Sequence, residues 1–178
     1  MANKINSRSK GNTNERRLAA LFATWTKRTF ARVPSSGGLS WKTANAKGDI
    51  ICTKEGHYFP FCIEAKNYKE INFQHLLYLD NAKILEFWAQ CTRDAKIANK
   101  IPILTMRYNG MPKDLHFVVI PNDFALKLIN GELIDPKNYM RFISKNHKLM
   151  IYTSTDFFQT DYSKVKTLAK QYLGYGKK

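Results

Sequence analysis

The sequence predicts an α/β fold, a central mixed β-sheet of about five strands flanked by helices, and three observations carry that expectation. The chain has 178 residues, the length of one domain. Hydrophobic residues make up 44% and aromatics 13%, which is enough apolar surface for a packed core. Helix-period and strand-like runs alternate in the order α-β-β-α-β-β-α, the pattern of helices layered on a sheet.

Taken in order, residues 1–12 are polar and basic and read as an arm. A helix follows from Thr13, with Asn12 or Thr13 as its N-cap, Leu18, Leu21, Phe22 and Trp25 on one face, and its end near Phe30. Residues 32–47 gather Pro, Ser, Gly and Asn and read as a loop. From Gly48 to Tyr68 the chain reads as a hairpin turning at Lys54–His57, with Pro60 near the start of the second strand or on an edge. A connector holding Phe73 and Leu76 leads to a second helix with Asp80 as N-cap, in which Ile84, Phe87, Trp88, Cys91, Ala95 and Ala98 recur at helical spacing. Ile101–Tyr108 and Leu115–Ile120 read as strands around the Asn109-Gly110 turn, and a short helix from Asn122 to Ile129 stops at Gly131. From Tyr139 two more strands and a terminal helix are expected, the helix with Val165, Leu168, Ala169 and Tyr172 on one face. No internal repeat or low-complexity tract interrupts this plan.

With 29 Lys and Arg against 14 Asp and Glu, the net charge of +15 calls for a polyanionic partner, nucleic acid or the surface of a membrane. No stretch approaches the roughly 18 to 20 apolar residues that cross a bilayer, and Met1–Gly11 carries no apolar signal region, so no membrane partner is expected. Cys52, Cys62 and Cys91 are odd in number and lack CxxC spacing or a companion His, which argues against a disulfide scaffold or structural zinc. They read as reduced thiols of a cytoplasmic protein, in a prokaryotic cell or a virus-infected host. His57, His75, His116 and His147 are scattered and read as solvent-facing or packing residues.

Two groups of residues suggest chemistry. Ten bases precede Gly48 but only one acid, Glu15, which falls on the helical line of Leu18, Phe22 and Trp25. A first-turn acid complementing the helix dipole is the plainer account of it. In YFPFCIEAK, Phe59, Phe61 and Ile63 alternate with Cys62, Glu64 and Lys66, so Glu64 and Lys66 project from the face opposite the apolar one. Asp49 opens the partner strand, and a hairpin returns Glu64 toward that end. Paired carboxylates of this kind suit a hard divalent cation, and a nearby lysine suits the charge that grows on a phosphate under attack. An edge-strand Glu-Lys pair at the surface is the alternative.

KGNTNERRL, ARVPSS and KGDIICTKEGHYFPFCIEAK together resemble the successive motifs of the archaeal-type Holliday junction resolvases, a branch of the PD-(D/E)XK nuclease superfamily. The resemblance covers residues 10 to 107 and implies a restriction-endonuclease-like core, residues 13–130, after a basic arm, 1–12, and before a C-terminal extension, 131–178, packed on the same domain. It implies Glu15, Asp49 and Glu64 as the acids around Mg²⁺, with Mn²⁺ able to substitute, Lys66 as the catalytic lysine, and Ser35 or Ser36 as the loop serine, Ser36 being the catalytic candidate. Lys10, Arg16, Arg32, Ser35, Trp41, Lys42 and Lys47 are the expected DNA contacts. Lys164, Lys166 and Lys170 of the last helix either line a phosphate track or are ordinary solvated positions.

The function expected from all this is a metal-dependent, structure-selective endonuclease, a resolvase acting as a homodimer on four-way or branched DNA. An exposed apolar patch on the sheet or on the Phe87/Trp88 helix is the expected dimer surface. The alternatives are a restriction-like or repair endonuclease on duplex DNA and a DNA-binding module without catalysis.

Overall fold

The computed structural model describes residues 7–33, 47–78, 82–135 and 138–175. Seven strands form one sheet: β1 (Phe30–Arg32), β2 (Ile50–Cys52), β3 (Phe61–Tyr68), β4 (Ile101–Tyr108), β5 (Phe117–Pro121), β6 (Met140–Ile143) and β7 (Lys148–Thr153). Their order across the sheet is β1-β2-β3-β4-β5-β7-β6. Only β3 and β4 run parallel, with α3 (Lys83–Ile97) in the crossover between them; every other neighbouring pair is antiparallel. The fold is therefore the expected mixed α/β sheet, with seven strands where about five were expected: the two strands expected in the tail, β6 and β7, join it next to β5, and the unexpected β1 adds an edge.

Alternation along the strands divides the interior in two. Phe61, Ile63, Ile101, Ile103, Val118, Ile120, Met150 and Tyr152 face one way, onto α1 (Ser7–Thr26), α4 (Asn122–Asn130), α5 (Ser154–Phe158) and α6 (Tyr162–Tyr172). Leu104, Met106, Val119, Leu149 and Ile151 face the other way, onto α2 (His75–Tyr78) and α3. Burying each large side chain contributes about 1.5–3 kcal/mol. Trp25 anchors the first core: its ring centroid lies 5.3 Å from that of Phe157, and its Nε1 donates to the Thr160 carbonyl at 2.9 Å.

Several local expectations are corrected. The first helix starts at Ser7, six residues before Thr13, so residues 7–12 belong to it rather than to an arm. Asn12 and Thr13 are not caps: Thr13 Oγ1 bonds back to the Ser9 carbonyl, and Asn12 Oδ1 accepts from Arg32. The helix ends at Thr26, where Lys27 takes a left-handed φ of 56°. Phe30–Arg32, expected as helix end and loop, is a strand, held by pairing with β2. The connector at Phe73–Leu76 contains the one-turn α2. Asp80 lies outside the described residues, and Ala82, which makes no side-chain cap bond, holds the N-cap of α3. Phe87 and Trp88 are buried in the second core, so they offer no interface.

Candidate active site

The site forms where the β2–β3 hairpin opens. Gly48 has φ +95°, and a Cβ on it would stand 2.6 Å from the Ile63 carbonyl oxygen, so only glycine lets the chain lie this close to β3. Asp49 follows at once. Its N–H donates to the Ile63 carbonyl at 2.7 Å, and its own carbonyl accepts from Val33 at 2.8 Å, which ties it to both neighbouring strands. Since Ile50 pairs with Ile63, Asp49 stands one step on, opposite Glu64. Its Oδ2 accepts the Ala65 N–H at 2.8 Å.

Glu64 and Lys66 share the face of β3 that looks toward α3, as their spacing predicts. Glu64 is only 3% exposed. Its Oε1 receives Lys66 Nζ at 2.5 Å and Gln90 Nε2 at 2.8 Å, while Gln90 Oε1 accepts a second bond from Lys66 at 3.2 Å. The Lys66 ammonium also lies 5.4 Å from the Phe87 ring centroid, within cation–π reach. Gln90 thus holds both charged groups in place from α3. Sequence reasoning missed it; the signal was a polar residue beside Phe87, Trp88 and Cys91 on the helix that crosses over from β3 to β4.

Glu15 comes from α1, which packs against the other face of the sheet. Its Oε2 is paired with Arg32 Nε at 2.8 Å, so β1 carries the arginine that holds the helix acid beside the hairpin. The Asp49 carboxyl is pushed up to about 6, first by burial and then by the charge of Glu64, with Glu15 adding and the Ala65 N–H and Lys66 opposing. Among the described residues no group of three or more Asp, Glu, His or Cys side chains is arranged to hold a metal ion. The donor set still fits a hard cation, because such ions take one or two carboxylates and complete their shell with water and phosphate oxygens. Asp49 and Glu64 are the residues that could hold it.

Of the other expected contacts, Lys10 is half-buried and Arg16 and Lys47 are exposed, all three on the segments that flank this corner. Ser35, Ser36, Trp41 and Lys42 lie outside the described residues.

A mixed sheet in which an aspartate stands opposite a Glu-x-Lys strand is the framework of the PD-(D/E)XK nucleases. The chain belongs to the family described as "Phage putative PDDEXK endonuclease", which matches residues 6–172. That match runs past residue 107, where the sequence motifs end, and takes in β5, β6, β7 and the last helices. It supports an endonuclease that acts on DNA, of a superfamily that typically uses divalent metal ions, without singling out the archaeal-type resolvase branch. No curated protein and no solved structure matches the chain. No described helix is long and apolar enough to cross a membrane.

Proposed function

We propose that the protein is a Mg²⁺-dependent endodeoxyribonuclease selective for branched DNA, a resolvase of four-way junctions, with Mn²⁺ able to replace Mg²⁺. The observation that carries the reading is the placement of Asp49 opposite Glu64 with Lys66 and Gln90 on the same carboxylate. Asp49 and Glu64 would hold the metal, with Glu15 adding negative charge from α1. When bound, the ion supplies an acidified water and neutralises charge on the scissile phosphate. Lys66 presents an ammonium that is already oriented by Glu64, Gln90 and Phe87, so its charge is positioned before substrate arrives. Arg32 fixes Glu15 and leaves guanidinium edge beside the site for a phosphate oxygen. Ser35, Ser36, Trp41, Lys42, Lys47, Lys10 and Arg16 are the proposed contacts to DNA around the cut.

Two cuts on strands of like polarity call for two sites related by symmetry, hence a homodimer. Exposed Leu77, Tyr78 and Ile143 border a groove of about 810 Å³ between α2 and the β6–β7 turn, and the second copy is assigned to this face. The test compares cleavage of a synthetic four-way junction with its matching linear duplex, in Mg²⁺ and in EDTA. Paired symmetric nicks confined to the junction support the resolvase. Equal cutting of both substrates favours a restriction-like or repair nuclease, and tight binding without cutting favours a module without catalysis.

A further inference from the structure

A second group of cations lies away from the acids, at the turn end of the β2–β3 hairpin. Arg28 follows the left-handed Lys27, and its guanidinium lies 5.9 Å from the ring centroid of Tyr162 at the start of α6. Its Nη1 is buried without a hydrogen-bond partner, and so is the Tyr162 hydroxyl. Lys166 and Lys170 project from α6, and Lys54 and His57 from the hairpin turn. These groups feel one another: desolvation, then Arg28 and Lys170, lowers the Lys166 ammonium, and His57 is lowered by desolvation and by Arg28, Lys54 and Lys166. Among the described residues none of Arg28, Lys54, Lys166 and Lys170 has a carboxylate within ion-pair distance, and Glu55 of the same turn is exposed and makes no ion pair.

A groove connects this pole to the acidic site. It has a volume of about 480 Å³, runs between α1 and β1 over Ala19, Ala20 and Ala23, and is bordered by Arg16, Arg28 and Arg32. Alanines keep its floor shallow enough for a chain to approach, and arginine is the side chain best shaped to grip phosphate. Arg32 sits at the end that carries Glu15; Arg28 sits at the end that carries Lys54, Lys166 and Lys170.

We propose that this groove and the Arg28–Lys54–Lys166–Lys170 pole seat the phosphodiester backbone of the substrate's flanking duplex. The inference rests on the nuclease reading and adds to it the direction in which DNA leaves the site.

The test measures affinity for a 30-base-pair duplex as a function of salt, by fluorescence anisotropy in Ca²⁺ or EDTA. Lys166→Ser/Lys170→Ser removes two charges from a solvated helix face, and Arg28→Ser removes the buried one. The double variant is expected to weaken binding about 10-fold and to reduce the slope of log K against log salt by about 1.8. Lys113→Ser/Lys127→Ser, the same charge change at exposed positions of the β4–β5 turn and of α4, is the control and should keep the native slope. An unchanged slope in Lys166→Ser/Lys170→Ser, or an equal fall in the control, overturns the inference while leaving the nuclease reading intact. A native protein that binds no DNA at all removes both.

Discussion

Glu64 is the residue on which the site turns, because a buried carboxylate with two donors on one oxygen has a fixed position. Replacing it by Ala should cut cleavage by at least about 10³-fold and leave DNA affinity within a few fold, since phosphate contacts elsewhere carry the binding; a variant cutting at the native rate would remove the site assignment. Gln90→Ala should act more mildly. It frees Lys66 and Glu64 without deleting either, and a loss of about 10–100-fold in kcat with little change in KM is expected, as for outer-shell partners in metal sites. Gln90→Glu, which restores one acceptor but adds like charge beside Glu64, should not rescue it. His116 shows how a residue far from the chemistry fixes the frame. Its Nε2 is hydrogen-bonded to Asn14 Oδ1 at 2.8 Å, and its N–H donates to Ser154 Oγ, so it joins α1 to the start of β5 and α5. Burial, then the charge of Arg107, lowers its pKa from 6.5 to about 4. The unfolded chain binds that proton more readily, so this contribution to stability is full above pH 6.5 and is lost as pH falls toward 4, by up to roughly 3 kcal/mol. Asp49, with its pKa raised, acts in the opposite sense between about 6 and 3.8. Thermal unfolding of the native protein and His116→Gln from pH 7 to 4 separates the two, since Asp49 is common to both; the gap between their melting temperatures should narrow as pH falls, and a constant gap would contradict the account.

At the scale of elements, the hairpin entrance is the most constrained backbone in the site. Gly48→Ala forces a Cβ against β3 and a non-glycine residue into a left-handed φ. Urea unfolding should show a loss of about 1–3 kcal/mol. Because Asp49 is the next residue, cleavage should fall about 10²-fold even under conditions where the variant is fully folded; native activity would mean that Asp49 does not depend on this turn. The same stretch shows what a sequence makes visible. β3 was legible because Phe59, Phe61 and Ile63 alternate with Cys62 and Glu64 across a sheet buried on both faces, and α3, β4, β5 and α4 were legible because each is long enough for its period to repeat. β1 was not, since Phe-Ala-Arg has no period and exists through its pairing with β2. The early start of α1 was hidden because Gly11 and Asn12 look like a cap, and only the partner Arg32 reveals what Asn12 does instead. Asp49, Glu64 and Lys66 stood out by residue type and spacing. Gln90 did not, because its partners are 26 and 24 residues away in the chain and its one local mark is a polar side chain among the apolar positions of α3.

At the scale of the molecule, one sheet separates two cores, and the catalytic candidates sit where its short edge strands meet both layers. The chain beyond Asn138 is part of that construction: β7 and β6 extend the sheet, and Phe157, Thr160 and Tyr162 surround Trp25 of α1, the helix that carries Glu15. A chain ending at Asn138 should therefore lose cooperative unfolding and cleavage together, whereas a nuclease core that folds without its tail would keep both. The placement of charge follows the same plan, with acids at the opening of the hairpin and cations at its turn and along the α1–β1 groove. The central claim is that Asp49, Glu64 and Lys66 form a metal-dependent nuclease site. Its most direct measurement is cleavage of branched and duplex DNA by the native protein and Lys66→Ala, in Mg²⁺ and in EDTA, with DNA affinity and circular dichroism recorded for both. The account predicts cutting by the native protein that disappears in EDTA and falls at least about 10³-fold in Lys66→Ala, at native fold and near-native affinity. Cutting that survives EDTA, or a Lys66→Ala protein that cuts as the native one does, would contradict it.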